Sequence, residues 1–200
     1  MSAAVPLEFV LATFNPDKAR ELETLISGSG LRLRSLAEFP GATAPEELGA
    51  TLIENARIKA QAACAHTGRP SIADDTGFEV EALDGAPGVH AARFAGPAAT
   101  YADNVRLLLE RLAGVAAARR AARFRTVCLA RFPDGREVVA EGVLEGRVIE
   151  APRGSHGFGY DPVFVPTGET RTLAEFSAAE KNAISHRSRA VQALVVELRR

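Results

Sequence analysis

The strongest chemical signal in the chain is a pair of adjacent acids, Asp74-Asp75, followed by Thr76-Gly77. Neighbouring carboxylates repel, so a fold that keeps two together usually supplies a cation or a proton to share between them. Their hard oxygens suit Mg²⁺, which retains several waters and bridges to substrate phosphates. One of the two could also serve as a general base toward water. Asp-Asp-Thr-Gly is also the composition of an ordinary Asx turn, and both readings stay open on this pattern alone. Glu46 and Glu54 are further candidate ligands, although isolated glutamates are mostly surface residues.

Three other stretches carry polar groups at telling places. Thr13-Phe14-Asn15-Pro16-Asp17-Lys18 reads as a strand running into a helix, with Asn15 as N-cap, Pro16 at the first helical position and an acid in the first turn. A helix N-terminus offers unpaired N–H groups and the positive end of a dipole, and Lys18 adds a charge within the first turn, which together make an anion site. The Walker pattern G-x-x-x-x-G-K-[ST] is absent, so this would be a different phosphate grip. An N-cap beside a solvated lysine is the plainer alternative. In Gly154-Ser-His-Gly-Phe158-Gly159-Tyr160-Asp161-Pro162, glycines flank Phe158, which would let the backbone approach a flat ligand and the ring stack on a base. Tyr160 could instead be core. Ser185-His186-Arg187 falls at a helix start, where the two basic side chains would meet an acceptor or face solvent.

The elements that must position these groups are legible from pattern. Phe9–Ala12 reads as a short buried strand, and the helix after Asn15 places Leu22, Leu25 and Ile26 on one face before Gly28 and Gly30. A strand around 31–36 follows, then a polar loop bearing Glu46 and Glu47. Thr51-Leu-Ile-Glu54 is a capping box opening a helix closed by Gly68. A short strand Ser71–Ala73, a turn Asp74–Gly77 and a strand Phe78–Leu83 come next. Tyr101–Leu112 is an amphipathic helix capped by Thr100. Phe124–Phe132, Glu137–Val143 and Arg147–Glu150 read as a meander, and Asp161–Val165 as strand-like. Ser177 and Ser185 cap two closing helices. Helices interleaved with strands, plus an inserted meander, give an α/β class with a mixed sheet.

Bulk properties bound the rest. With 200 residues, 46% hydrophobic and 24% charged, the chain is one large domain or two intimate lobes. Folding at this size buries about 70% of the unfolded surface, so no stapling disulfide or structural metal is needed. No apolar run approaches the roughly 20 residues that span a bilayer, and the start lacks a signal-peptide pattern, so a cytoplasmic protein without membrane association is expected. Cys64 and Cys128 each sit in apolar surroundings and read as small buried hydrophobes. The net charge of −1 gives no general attraction to nucleic acid, and no nucleic-acid partner is expected; the cluster Arg119, Arg120, Arg123 and Arg125 is the one local exception.

Taken in order, these motifs resemble those of the inosine triphosphate pyrophosphatases, also called XTP/dITP diphosphatases. The likeness runs from about Val10 to Leu198 through Ala12-Thr13-x-Asn15-x-x-Lys18, Glu54-Asn55-Ala56 with Lys59, Ala73-Asp74-Asp75-Thr76-Gly77, Gly85-Ala-Pro-Gly88, Gly157-Phe158-Gly159-Tyr160-Asp161-Pro162, and Glu180-Lys181 followed by Ser185-His186-Arg187. The resemblance implies a long mixed sheet flanked by helices, two lobes with an active-site cleft between them, and one catalytic domain over residues 9–200 after an N-terminal extension of residues 1–8. It implies hydrolysis of ITP, dITP and XTP to a monophosphate and pyrophosphate by a homodimer. Thr13, Phe14, Asn15, Pro16, Asp17 and Lys18 would hold the triphosphate. Glu46 and Asp75 would position Mg²⁺, Asp75 would be the proton acceptor, and Thr76 would contact substrate. Phe158, Gly159, Tyr160 and Asp161 would form the base pocket, and Lys181, His186 and Arg187 would read the base edge.

Two positions depart from the family pattern. Thr76 stands where serine is common, and both supply a hydroxyl. Phe14 is bulky where a small residue is usual and must point away from the phosphates. A nucleotide sensor without hydrolysis and a pyrophosphatase for pyrimidine nucleotides are the rival readings.

Overall fold

The computed structural model describes residues 7–200. Twelve elements form the frame: β1 (Leu7–Leu11), α1 (Pro16–Ile26), β2 (Leu31–Ser35), α2 (Leu52–Thr67), β3 (Ser71–Val80), β4 (Pro87–Gly88), α3 (Tyr101–Arg111), β5 (Ala121–Arg131), β6 (Glu137–Val148), β7 (Phe164–Pro166), α4 (Ala178–Ile184) and α5 (His186–Leu198). The strands make one seven-stranded mixed sheet in the order β2-β1-β3-β5-β6-β7, with β4 paired to β3. β1 runs parallel to β2 and to β3, whereas β4 and β7 lie antiparallel to their partners. The expected mixed α/β architecture is therefore present.

Local chemistry explains the helix starts. Thr51, Thr100 and Ser177 each accept a backbone N–H three residues on while an acid at that position reaches back, so three capping boxes open α2, α3 and α4. Gly68 ends α2 in the left-handed conformation.

The chain divides into two compact units. The first comprises the chain up to Asp75, Val127–Gly142 and Arg187–Arg200; the second comprises Thr76–Thr126 and Val143–His186. Each has its own apolar core. Phe9, Leu11, Leu22, Ile26, Ile72 and Phe132 pack with Val191 and Leu194 in the first, and Phe78, Leu108, Phe124, Leu144, Tyr160 and Phe164 pack together in the second. Cys64 and Cys128 are buried and unpaired in the first unit. Burial pushes the Cys128 thiol far above its ordinary value.

Several expectations need correcting. Asp74–Gly77 is not a turn, because β3 runs unbroken from Ser71 to Val80. Turn preference in such a segment assumes that the carboxylates seek water or local N–H groups, and here charged partners satisfy them in extended chain. Glu81–Leu83 is a 3₁₀ turn rather than the end of a strand, and so is Asp161–Val163, with the strand proper starting at Phe164. β6 continues to Val148 without the expected break after Val143. Residues 1–6 of the anticipated extension lie outside the described residues, while Leu7 and Glu8 belong to β1 and pair with Leu31 and Arg32.

Among the described residues, no helix is long and apolar enough to cross a membrane. Three of the four clustered arginines are drawn into internal contacts. Arg120 is buried and donates to the carbonyls of Leu112 and Val115, and Arg123 and Arg125 both pair with Glu79.

Candidate active site

In the first unit, the strand–helix junction is built by its own side chains. The Asn15 side-chain oxygen Oδ1 accepts the N–H groups of Asp17 and Lys18 at 2.9 and 3.1 Å, and the Thr13 hydroxyl accepts the N–H of Asn15 at 3.2 Å. Thr13 and Asn15 thus shape the loop as well as offering polar atoms. Pro16 opens α1, and Asp17 pairs with Arg20. Phe14 is 48% exposed, so its ring turns out to solvent.

Lys18 is not a solvated charge. Its ammonium lies 3.3 Å from Asp74, which is wholly buried and also receives Arg187 Nε at 3.2 Å. Arg187 is itself buried and reaches Glu21 as well. Burial opposes the charged form of Asp74, yet Lys18, Arg187 and Lys59 outweigh it and hold the carboxyl well below the usual carboxylate range. Burial pulls the Lys18 ammonium down from its ordinary value, against the pull of Asp74. For Arg187 burial is again the largest opposing effect, and Asp74 and Glu21 overcome it.

Asp75 is held separately, by α2. Lys59 Nζ donates to its Oδ1 at 2.8 Å and Asn55 Nδ2 to its Oδ2 at 3.4 Å. Lys59 also stands 3.4 Å from Glu47 Oε2. Burial disfavours the Lys59 charge, but Asp75, Asp74 and Glu47 more than restore it. Glu46 is exposed, and Glu47 is the loop carboxylate on the Lys59–Asp75 pair. Successive residues of an irregular loop project in different directions, and only the position of α2 decides which one meets Lys59. Glu54 is engaged in capping, its carboxylate accepting the N–H groups of Ala50 and Thr51.

A metal test follows from this donor set. Among the described residues no cluster of three or more His, Cys, Asp or Glu side chains could enclose an ion. The place next to Asp75 and Glu47 nonetheless attracts a cation, since the Lys59 ammonium contacts both. Two carboxylates at this place fit Mg²⁺, which takes one or two protein carboxylates and completes its shell with water and substrate oxygens.

In the second unit, the Phe158 loop is organised by Asp161. Its buried Oδ2 accepts Lys181 Nζ at 2.6 Å and the Phe158 N–H at 3.0 Å. Gly157 has a left-handed φ of 71°, and a Cβ there would strike the Asp161 carboxylate. Lys181 Nζ stands over the Phe158 ring, 4.8 Å from its centroid, and Tyr101 of α3 lies at a tilted 5.7 Å. A cavity of about 570 Å³, lined by Tyr101, Val105, Leu109, Pro152, His156 and Phe158, opens beside the ring. Gly159 adopts a left-handed φ of 64° in open space.

Tyr160 belongs to the core, in agreement with the plainer of the two readings. Its ring stacks on Phe78 at 4.6 Å, its hydroxyl donates to the Ala91 carbonyl, and burial pushes the phenol above its ordinary value. His186 stacks flat on Phe124 at 4.5 Å. Thr76 shares a 2.7 Å hydroxyl–hydroxyl hydrogen bond with Thr126.

Sequence reasoning gave no role to Asn55, Lys59, Glu47 or Tyr101. Asn55 and Lys59 are spaced i,i+4 on α2 and so share a face, a signal that was available. Tyr101 meets Phe158 only through tertiary packing.

The fold is thus a mixed α/β one with a buried, cation-held acid pair, Asp74 being joined to Lys18 at the start of a helix. The chain belongs to the Ham1 family, whose model it matches over residues 9–197. It is 49% identical to the dITP/XTP pyrophosphatase of Deinococcus deserti over 187 residues, covering 94% of this chain and 87% of that protein. It is 50% identical to the protein of the same name from Symbiobacterium thermophilum over 182 residues, covering 91% and 90%. Among solved structures, the HAM1 protein of Coxiella burnetii superposes with a TM-score of 0.87 at 39% identity over 96% of this chain and 98% of that one. A Mycobacterium abscessus structure described as a nucleoside-triphosphatase / dITP/XTP pyrophosphatase gives 0.77 at 42% identity over 96% and 100%.

Proposed function

We propose that this protein hydrolyses non-standard purine nucleoside triphosphates (ITP, dITP and XTP) to the nucleoside monophosphate and pyrophosphate. The observation that carries the reading is Asp75, a buried carboxylate fixed by Lys59 and Asn55 and adjoining Asp74 with its Lys18 partner. Relatives at about half identity that bear the name dITP/XTP pyrophosphatase support the substrate class.

In this reading the oxygen of water bonds to the α-phosphorus, the bond from that phosphorus to the α–β bridging oxygen breaks, and pyrophosphate leaves. Asp75 takes the proton of the attacking water. The first turn of α1 and Lys18 hold the departing pyrophosphate. Asp75 and the loop acids Glu46 and Glu47 are the residues that would hold Mg²⁺, which when bound supplies neutralisation of phosphate charge. For the base, Phe158 offers a stacking face. Lys181, kept at that ring by Asp161, donates to the 6-oxo group of hypoxanthine or xanthine. Adenine presents an amino donor at that position and would leave two donors facing each other, the kind of mismatch that discriminates strongly.

A pyrophosphate-release panel over ITP, XTP, dITP, GTP, ATP and dTTP, with and without Mg²⁺, tests the proposal. Release confined to ITP, XTP and dITP and dependent on Mg²⁺ is expected. Saturable nucleotide binding with no pyrophosphate would overturn it in favour of a sensor, and a dTTP preference would move it to pyrimidines. A homodimer in the cytoplasm is part of the same proposal, supported by the family resemblance and by two buried, unpaired thiols. Light scattering and cell fractionation test these two points.

A further inference from the structure

The Glu54-Asn55-Ala56 motif carries out no chemical step in the reaction as described, yet Asn55 is completely buried against Asp75. Its two amide atoms face different segments. Oδ1 accepts the Gly49 N–H at 2.8 Å, and Nδ2 donates to Asp75 Oδ2 at 3.4 Å. The neighbouring Glu54 takes the next two N–H groups of the same loop, those of Ala50 and Thr51, at 2.7 and 3.0 Å. Three successive backbone amides of the loop that carries Glu47 are therefore gripped by two adjacent side chains of α2. At Gly49 the approach is so close that a Cβ would stand 2.6 Å from Asn55 Oδ1 and 2.7 Å from Glu54 Cβ, so a glycine is required.

We infer that Asn55 is a positioning residue: its single amide fixes the Glu47 loop and Asp75 relative to each other. The inference rests on the proposed hydrolysis for its kinetic consequence, and on geometry alone for its structural one. An asparagine is suited to this task because a primary amide offers an acceptor on one atom and donors on the other. Aspartate at the same position could still accept from Gly49 but would have no donor for Asp75. Alanine would have neither. Lys59, one turn further along the same face of α2, repeats the pattern with charge, touching Glu47 and Asp75.

The isosteric series separates the two contacts. Amide hydrogen exchange of peptides spanning 44–51 should rise in Asn55→Ala and stay at the wild-type level in Asn55→Asp. Pyrophosphate release should lose kcat in both variants by about tenfold to a hundredfold, the scale of a small misplacement of reacting groups, with a much smaller change in KM. The Mg²⁺ concentration at half-maximal rate should rise more in Asn55→Ala, where the Glu47 loop is released. Gly49→Ala attacks the clamp from the loop side and should raise the same exchange without touching Asn55, which keeps the test alive if Asn55→Ala does not fold. Wild-type exchange in both Asn55→Ala and Gly49→Ala would overturn the inference, as would a wild-type kcat in Asn55→Asp. If the wild-type protein releases no pyrophosphate at all, the functional proposal falls, and hydrogen exchange alone still decides the clamp.

Discussion

Arg187 and Asp74 form an ion pair in which both side chains are essentially removed from solvent, 1% and 0% exposed, with Arg187 Nε 3.2 Å from Asp74 Oδ2. A charge so deeply placed is retained only while its partners are present. Replacing Arg187 with methionine removes one of the cations that hold Asp74 and takes the guanidinium from Glu21. The loss should be about 3 kcal/mol, within the range for breaking a buried pair, read from the urea midpoint of the otherwise folded protein.

The same pair sets an acid limit. The folded-state pKa of Asp74 is depressed, so its contribution is present above the unfolded value of about 3.9 and is lost as pH falls from there toward the folded value. Urea midpoints of wild type and Asp74→Asn should differ clearly at pH 7, and the gap should narrow progressively as pH falls below about 4. A constant gap across that range would contradict the assignment.

Asp75→Asn keeps the shape of the side chain but cannot take a proton. Pyrophosphate release should fall by about 10²- to 10⁴-fold, while the circular dichroism spectrum remains native. Undiminished turnover would remove Asp75 from the chemistry.

Lys18→Ala should act mainly on binding. Losing one charged hydrogen bond to the triphosphate should raise KM about tenfold or more, with the monophosphate product affected less. An unchanged KM would argue against the phosphate grip at α1.

Phe158→Leu retains an apolar side chain and removes the stacking face. Base stacking on an aromatic ring is worth about 1–3 kcal/mol, so KM for ITP should rise at least severalfold while inorganic pyrophosphate binds as in wild type. Gly157→Ala should produce the same selective defect by pushing the loop off the Asp161 carboxylate. Equal losses for ITP and pyrophosphate would place Phe158 outside the base site.

The parts of this fold that sequence disclosed were those governed by neighbours in the chain. Asn15, Thr51, Thr100 and Ser177 announce their helices because each cap bonds within three residues of itself. Asp74–Gly77 was misread because its surroundings come from afar: Arg187 is separated from Asp74 by 113 positions. Local rules treat an aspartate as a seeker of nearby N–H groups and contain nothing about a distant guanidinium. The contact between Glu47 and Lys59 was hidden for a related reason, since two consecutive glutamates are equivalent in sequence and only the position of α2 tells them apart. Tyr160, placed in the base pocket by resemblance, stacks on Phe78 and donates to the Ala91 carbonyl, two contacts that no local pattern announces.

The chain contains no tryptophan, so it lacks the usual fluorescent reporter of unfolding. Cys128 supplies another. Its thiol is fully enclosed and its ionisation suppressed, so in the native state it presents essentially no thiolate to an alkylating reagent. Labelling must then wait for the first unit to open, and its rate becomes a clock on that opening, readable by mass in an unmodified protein.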